Sequence, residues 1–243
     1  MASCELTHLE REPIDMERLV GQHERYVELL TELGCRVTEL SPEPSLPDAV
    51  FVEDTAVVLD ELAVITRPGA ASRRPELDTI ARALAPHREL VRIEAPGILD
   101  GGDVLRLGRR LFVGSSTRSN AGGIEQLAVA VGRHGYRVEA VPVRSCLHLK
   151  SAACAIGEDA VLAQADWVDP ALFGASDLLL THPQESGAAN VLCLGAGAIF
   201  PDAFPHTRER LEAFGLSVHS LDISELQKAE GAVTCCSLLL QAD

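Results

Sequence analysis

The chain has no long hydrophobic run, no basic stretch and no paired-cysteine motif. Within its 243 residues nothing approaches the roughly 20 consecutive apolar residues that a membrane-spanning helix needs. Met1 to Asp15 mixes Glu, Arg, His and Asp, without the apolar centre of a signal peptide. Positive charge is scarce: 21 Lys and Arg stand against 36 Asp and Glu, a formal net charge of −15. Such a field repels nucleic acid and anionic lipid, and no Lys/Arg cluster exists to neutralise phosphates. It favours cationic small molecules as partners; the plainer alternative is that acidity only keeps the chain dispersed in water. The seven cysteines, at positions 4, 35, 146, 154, 193, 235 and 236, are odd in number and lack Cys-x-x-Cys spacing. Neither a disulfide framework nor a zinc finger is suggested, and a reducing, cytoplasmic setting is expected, with no membrane and no nucleic-acid partner.

What is present is enough apolar residue, 47%, to bury a full core, and one domain over residues 1–243 is expected. From residue 51 a pattern recurs four times: two short apolar strands across a tight turn, an amphipathic helix, then a third strand. The first copy places strands at Phe51 to Val58, Leu62 to Thr66 and Val91 to Ile93, with a helix from Arg73 to Ala85. The second starts at Val104, turns on Gly108-Arg109-Arg110, carries Ile124, Leu127, Ala128 and Val131 at helical spacing, and ends on Tyr136 to Val141 after the stop Gly135. The third has strands at Ser151 to Ile156, Ala160 to Ala163 and Leu178 to Leu180, with a short helix at Asp169 to Phe173. The fourth has strands at Ala189 to Leu194 and Ala198 to Phe200 about Gly195-Ala196-Gly197, a helix from Thr207 to Phe214, the stop Gly215 and a strand at Leu216 to Leu221.

The ends of the chain hold a strand at Val233 to Leu240 and a helix from Met16 to Leu33, capped by Asp15, stopped by Gly34 and feeding Arg36 to Leu40. Joined, they make most of a fifth copy. A repeat of roughly 40 to 50 residues points to an array or propeller. A ring closed by both termini hides the sheet edges that a linear stack leaves open. The expected fold is therefore α/β, a five-fold pseudosymmetric propeller of ββαβ units.

A ring predicts that residues near the first strand of each unit face one central channel. Those residues are polar: Glu53, Asp100, His148, Asn190 and Cys235 recur at intervals of 47, 48, 42 and 45, with Asp54 and Asp103 beside the first two. Alone, Cys235 reads as a small buried hydrophobe and His148 as a histidine satisfied by backbone groups. Together they read differently, because a nearby imidazolium makes a thiol a useful nucleophile. Cys236, on the other face of the expected strand, reads as core packing. Asp100 is either an orienter of His148 or a turn residue before Gly101-Gly102. Asp48, Glu53 and Asp54 crowd carboxylates among apolar residues. They need a cation, and a guanidinium matches paired carboxylates best. That guanidinium belongs either to a substrate or to Arg67 or Arg73 of the chain.

Five blocks, in order, resemble one family: Leu46-Pro47-Asp48 with Phe51-Val52-Glu53-Asp54; Ile65-Thr66-Arg67-Pro68-Gly69-Ala70 with Ser72-Arg73-Arg74; Leu99-Asp100-Gly101-Gly102-Asp103; Leu147-His148-Leu149-Lys150-Ser151; and Thr234-Cys235-Cys236-Ser237. The chain resembles the dimethylarginine dimethylaminohydrolases of the pentein, or guanidino-group-modifying, superfamily, over nearly its whole length. The resemblance implies hydrolysis of methylated arginines to citrulline, with Cys235 as nucleophile and His148 as proton donor and then base. It makes Asp100 the acidic partner of the histidine. Asp48, Glu53 and Asp54 would hold the guanidinium, Arg73 and Arg118 the amino-acid head, Leu6 a lid and Ala229 a backbone contact.

No metal or organic cofactor is implied. Relatives carry an additional strand ahead of Cys4-Glu5-Leu6, so the fifth unit is expected to lack a strand: either the start is placed too far downstream, or an edge is left for a partner, such as a second copy in a homodimer, to cover. Competing readings are an arginine deiminase or amidinotransferase on the same core residues, and a non-enzymatic propeller that needs no central thiol.

Overall fold

The computed structural model of the chain describes residues 1, 3–195 and 197–241. Helix α1 (Met16–Glu32) starts where Asp15 accepts hydrogen bonds from the backbone N–H groups of Glu17 and Arg18, which otherwise have no partner at a helix N-terminus. It stops at Gly34, whose φ of +89° a side chain would resist.

Four units follow. In the first, β1 (Ala56–Val58) and β2 (Leu62–Ile65) lead through α2 (Leu77–Leu84) to β3 (Glu89–Arg92). The second has β4 (Val104–Leu107), β5 (Arg110–Ser115), α3 (Ala121–Gly132) and β6 (Arg137–Pro142). The third opens with a single helical turn, α4 (Leu149–Ala152), before β7 (Ala153–Gly157) and β8 (Ala160–Ala163); a 3-10 turn at Pro170–Phe173 stands in place of the long helix ahead of β9 (Asp177–Leu180). The fourth has β10 (Leu192–Leu194), β11 (Gly197–Pro201), α5 (Pro205–Phe214) and β12 (Ser217–Leu221), followed by α6 (Ser224–Gln227). Each unit makes its own three-stranded sheet, in which the middle strand pairs antiparallel with the first and parallel with the third. The parallel pair requires a crossover, which the helix or 3-10 turn supplies.

Period-two alternation explains how neighbouring units adhere. Along β2, Ala63 and Ile65 pack with Ile80 and Leu84 of the unit's own helix, while Leu62 and Val64 pack with Leu111, Val113 and Leu127 of the next unit. The same exchange joins the second unit to the third through Leu105, Phe112, Val161 and Phe173. Leu162, Phe200 and Leu211 join the third to the fourth. The fourth packs on α1 through Leu192, Ile199, Tyr26 and Leu30.

The fifth sheet is not formed among the described residues. Arg36 to Leu40 and Val233 to Leu240 carry no ladder, because neither has a paired neighbour. Residues 233–236 instead form a turn, fixed where Tyr26 donates to the carbonyl of Val233 at 2.9 Å and the N–H of Glu53 donates to the carbonyl of Cys235 at 3.1 Å. Cys236 still packs against the core, but not from the far face of a strand.

The other differences are shorter. The strands expected from Phe51, Ser151 and Ala189 begin at Ala56, Ala153 and Leu192. The helix expected from Arg73 starts at Leu77, since Pro75 has no N–H and leaves Ala71–Glu76 as a 3-10 segment. Ala196, in the fourth hairpin turn, lies outside the described residues.

The turns ahead of the strands are packed backbone to backbone. A Cβ on Gly101 would sit 2.0 Å from the carbonyl oxygen of Glu53 and 2.8 Å from that of Ala56. Gly101→Ala is expected to destabilise the fold by about 3 kcal/mol. Gly132→Ala, at a helical position with open space around it, is expected to be neutral or to stabilise by about 0.5–1 kcal/mol. Urea unfolding of the two variants checks both.

Candidate active site

The residues expected along the channel lie in the tight turns just before the strands, not on the strands. Glu53 and Asp54 belong to the 3-10 turn Val52–Thr55, and Asp100 is the extended residue leading into the turn Gly101–Asp103. His148 is the extended residue ahead of α4, Asn190 precedes β10, and Cys235 lies within the turn at 233–236. A residue leaving such a turn can aim its side chain and N–H inward while the strand behind it stays paired.

His148 is buried between two carboxylates. Its Nε2 lies 3.0 Å from Asp100 Oδ2, and its Nδ1 lies 3.8 Å from Asp54 Oδ1. Asp100 is held in turn: its Oδ1 accepts from the N–H of Gly69 at 2.9 Å, and its own N–H donates to Ser119 Oγ at 3.2 Å. Asp103, also buried, accepts from Ser116 and Ser119 and from the N–H of Leu149 at 3.0 Å, which fixes the residue next to His148. Burial opposes the imidazolium, but Asp54 and the hydrogen bond to Asp100 outweigh it and raise the histidine to about 9. The same burial, with the charges of Glu53 and Asp54, pushes the Cys235 thiol well above its ordinary range. At neutral pH the Cys235 thiol is therefore neutral and the His148 imidazole charged.

The carboxylates find their cation inside the chain. The buried Arg73 binds Asp54 through Nη1, Glu76 through Nε and Nη2 at 3.1 and 2.8 Å, and the carbonyl of Phe51 at 2.9 Å. Burial pushes Asp54 up, but the charges of His148 and Arg73 and the hydrogen bonds from Arg73 and Gly102 outweigh it and leave the carboxyl below its ordinary range. Of the two readings of that segment, the internal guanidinium is present: Arg73 lies on Asp54 and Glu76. Arg67 instead donates to the carbonyl of Gly97.

Asp48 accepts from the N–H of Glu5 through both oxygens, at 3.2 Å each, and burial raises it. The adjoining strap bears the half-buried Leu6, and Thr7 Oγ1 accepts from Arg118 Nη2 at 2.8 Å. Ala229 is buried beyond the strap, its N–H on the carbonyl of Leu226.

Asp54, Asp100 and His148 present ligand-type atoms within 4.8 Å of one another. Those atoms are already engaged by Arg73, by the N–H groups of Gly69 and Gly102, and by one another. The arrangement is suited to holding a proton. Among the described residues no helix is long and apolar enough to cross a membrane.

No protein-family model matches the chain. A dimethylarginine dimethylaminohydrolase of Streptomyces coelicolor is 42% identical to it over 238 residues, covering 97% of this chain and 91% of that protein. The chain belongs to the dimethylarginine dimethylaminohydrolase family. Solved structures of that family share its α/β fold. The Pseudomonas aeruginosa enzyme, a cysteine-to-serine variant complexed with citrulline, superposes with a TM-score of 0.91 at 32% identity, over 95% of this chain and 91% of that one. A histidine-to-glycine variant of a dimethylarginine dimethylaminohydrolase, captured as an adduct with S-methyl-L-thiocitrulline, gives the same TM-score and identity over 95% and 92%.

Set against this dimethylarginine dimethylaminohydrolase framework, sequence reasoning missed three supports: Glu76 on Arg73, Thr234 on Glu53, and Lys150 on Glu53. A lysine in the apolar run Leu147-His148-Leu149-Lys150 was the available signal, since a charge drawn into a core needs a partner.

The raised histidine couples stability to pH. Its ordinary value is 6.5 and its folded value about 9, so its contribution is complete below pH 6.5 and is lost as pH climbs through about 9. That contribution is about 3 kcal/mol. Between these limits the unfolding free energy of the wild type is expected to fall by about that much more than that of His148→Asn, as read by denaturant titration at both ends of the window.

Proposed function

We propose that the chain hydrolyses Nω,Nω-dimethylarginine, and Nω-methylarginine, to citrulline and dimethylamine or methylamine through a thiouronium adduct on Cys235. The observation that carries this reading is that the adjacent carboxylates Glu53 and Asp54 meet both reacting groups: Asp54 faces the imidazolium that Asp100 holds, and the charges of both keep the Cys235 thiol neutral.

Asp48, Glu53 and Asp54 receive the guanidinium and fix its plane. Its positive charge offsets the carboxylates that hold the thiol neutral, so binding favours the Cys235 thiolate. The sulfur attacks the guanidinium carbon. His148, through the nitrogen not bound to Asp100, gives its proton to the departing amine. The neutral imidazole then takes a proton from water, whose oxygen attacks the thiouronium carbon, and collapse of that adduct releases citrulline and the sulfur. Asp100 keeps the ring oriented throughout.

Arg118 receives the substrate carboxylate. Arg73 neutralises Asp54 and Glu76 in the empty site and assists Arg118 with the Nη1 donor that the substrate's guanidinium displaces. Leu6 covers the pocket, and Ala229 contributes a backbone contact. The residues of the proposal need no metal or organic cofactor for these steps.

The finer architecture follows the same reading. A single domain of residues 1–243 closes as a five-fold pseudosymmetric propeller, with the terminal segments as fifth unit. Supporting this, Leu238 near one end packs on the first unit's core, and Phe51 ahead of that unit packs with α1 and the fourth sheet. A homodimer would cover the edge that the fifth unit leaves open, where Leu239 and Leu240 are 43% and 38% exposed. Seven free cysteines fit a cytoplasmic setting.

Cys235→Ser is expected to cut citrulline formation from dimethylarginine at least about a thousandfold, with the thermal midpoint retained. Dimethylamine and citrulline should appear in equal amounts with the wild type. Faster release of ammonia from arginine than of dimethylamine from dimethylarginine would instead identify a deiminase.

A further inference from the structure

The mechanism leaves Lys150 unused. Its ammonium lies 2.6 Å from Glu53 Oε1, and the other Glu53 oxygen accepts from Thr234 Oγ1 at 2.6 Å. Asn190 Nδ2 donates to Thr234 Oγ1 at 3.0 Å and to the carbonyl of Lys150 at 3.1 Å, while its Oδ1 accepts from the N–H of Thr234 at 3.1 Å. Lys150, Glu53, Thr234 and Asn190 thus close a ring of hydrogen bonds drawn from three units and the terminal turn. Cys235 is attached to it twice, by its peptide bond to Thr234 and by the N–H of Glu53 on its own carbonyl.

The cations are unevenly shared. Asp54 faces two, Arg73 and His148, whereas the cation recorded on Glu53 is Lys150. The charged and titratable groups around the sulfur are Glu53 and Asp54 from the turn before β1, the neighbouring Cys236, Lys150 from α4 and Tyr26 from α1, with His148 and Arg73 beyond them on Asp54. Lys150 is the cation that meets Glu53.

We propose that Lys150 is a positioning residue for Cys235: its ammonium anchors Glu53, steadies the Thr234–Cys235 turn through that carboxylate, and offsets the negative charge beside the sulfur. This inference rests on the hydrolase reading and assigns it a further residue. Without the ammonium, Glu53 is an uncompensated carboxylate next to a thiol that must ionise.

The test follows alkylation of Cys235 by iodoacetamide in the substrate-free protein, read at that residue by mass spectrometry across a pH series. Each event forms one S–C bond, expels iodide and sends the thiol proton to solvent. Lys150→Met and Lys150→Gln are expected to raise the midpoint of the alkylation profile by about one pH unit, and to slow the reaction roughly tenfold below it. Lys150→Arg is expected to restore most of the wild-type profile. A merely structural role would lower thermal stability without moving the midpoint.

The Lys150→Met/Glu53→Gln variant removes the carboxylate with its cation and leaves no buried charge unpaired. Its midpoint is expected at or below that of the wild type, and it carries the test if the single variants do not fold. Unchanged midpoints in both neutral variants, or a raised midpoint in the double variant, overturn the proposal. Iodoacetamide reports on the sulfur whether or not methylated arginines are turned over, so a wild type inactive on dimethylarginine would sink the hydrolase reading alone.

Discussion

Compensation of buried negative charge is the constraint on which the rest of the structure depends. Asp100 and Asp103 are wholly withdrawn from water, and Asp48, Glu53 and Asp54 nearly so. A carboxylate in that position is costly unless it is paired and hydrogen-bonded. Each has found its donors: Arg73 and Gly102 on Asp54, Gly69 and His148 on Asp100, two serines and Leu149 on Asp103, Lys150 and Thr234 on Glu53, and the N–H of Glu5 on Asp48. These donors come from different units, so the charge network also sets how the units meet.

The network has a directional consequence for chemistry. A carboxylate-rich hollow raises the affinity of every nearby base for protons, and it does so for both the imidazole and the thiol. The histidine is thereby kept charged and the thiol neutral. In the reaction we propose, a bound guanidinium would reverse the balance at the sulfur without discharging the histidine, which Asp100 anchors through Nε2. The proposed acid and the proposed nucleophile would then coexist at one pH.

The sheets act as the frame for five short turns. Strand pairing fixes where each turn begins, and the apolar alternation along the middle strands locks one unit to the next. The groups we propose to react lie on the turns. There backbone N–H groups serve as donors, as Gly102 does to Asp54 and Glu53 to the carbonyl of Cys235, and glycine allows close approach where a Cβ would collide. Placing the groups on the strands themselves would spend those donors on the ladder.

Much of this was legible in the chain itself. Period-two apolar runs, Gly34, Gly135 and Gly215 as helix stops, and Asp15 as a cap marked the four units to within a few residues, because these signals act through local backbone geometry. The intervals from Glu53 through Cys235 likewise picked out residues that fall into two hydrogen-bonded clusters, Asp100 with His148 and Asp54, and Asn190 with Thr234 and Glu53, which meet at the adjacent Glu53 and Asp54. Three matters were decided only by tertiary structure. Residues 233–240 form a turn and extended chain where their apolar run suggested a strand, because a ladder needs a neighbour that no local pattern can supply. Arg73 was as eligible for a substrate as for the protein, and burial beside Asp54 and Glu76 settled its partners in the empty site. Lys150 had no acidic residue close in sequence; its partner is Glu53, 97 residues away, and a pairing across that distance exists only once the chain has folded and desolvation forces opposite charges together.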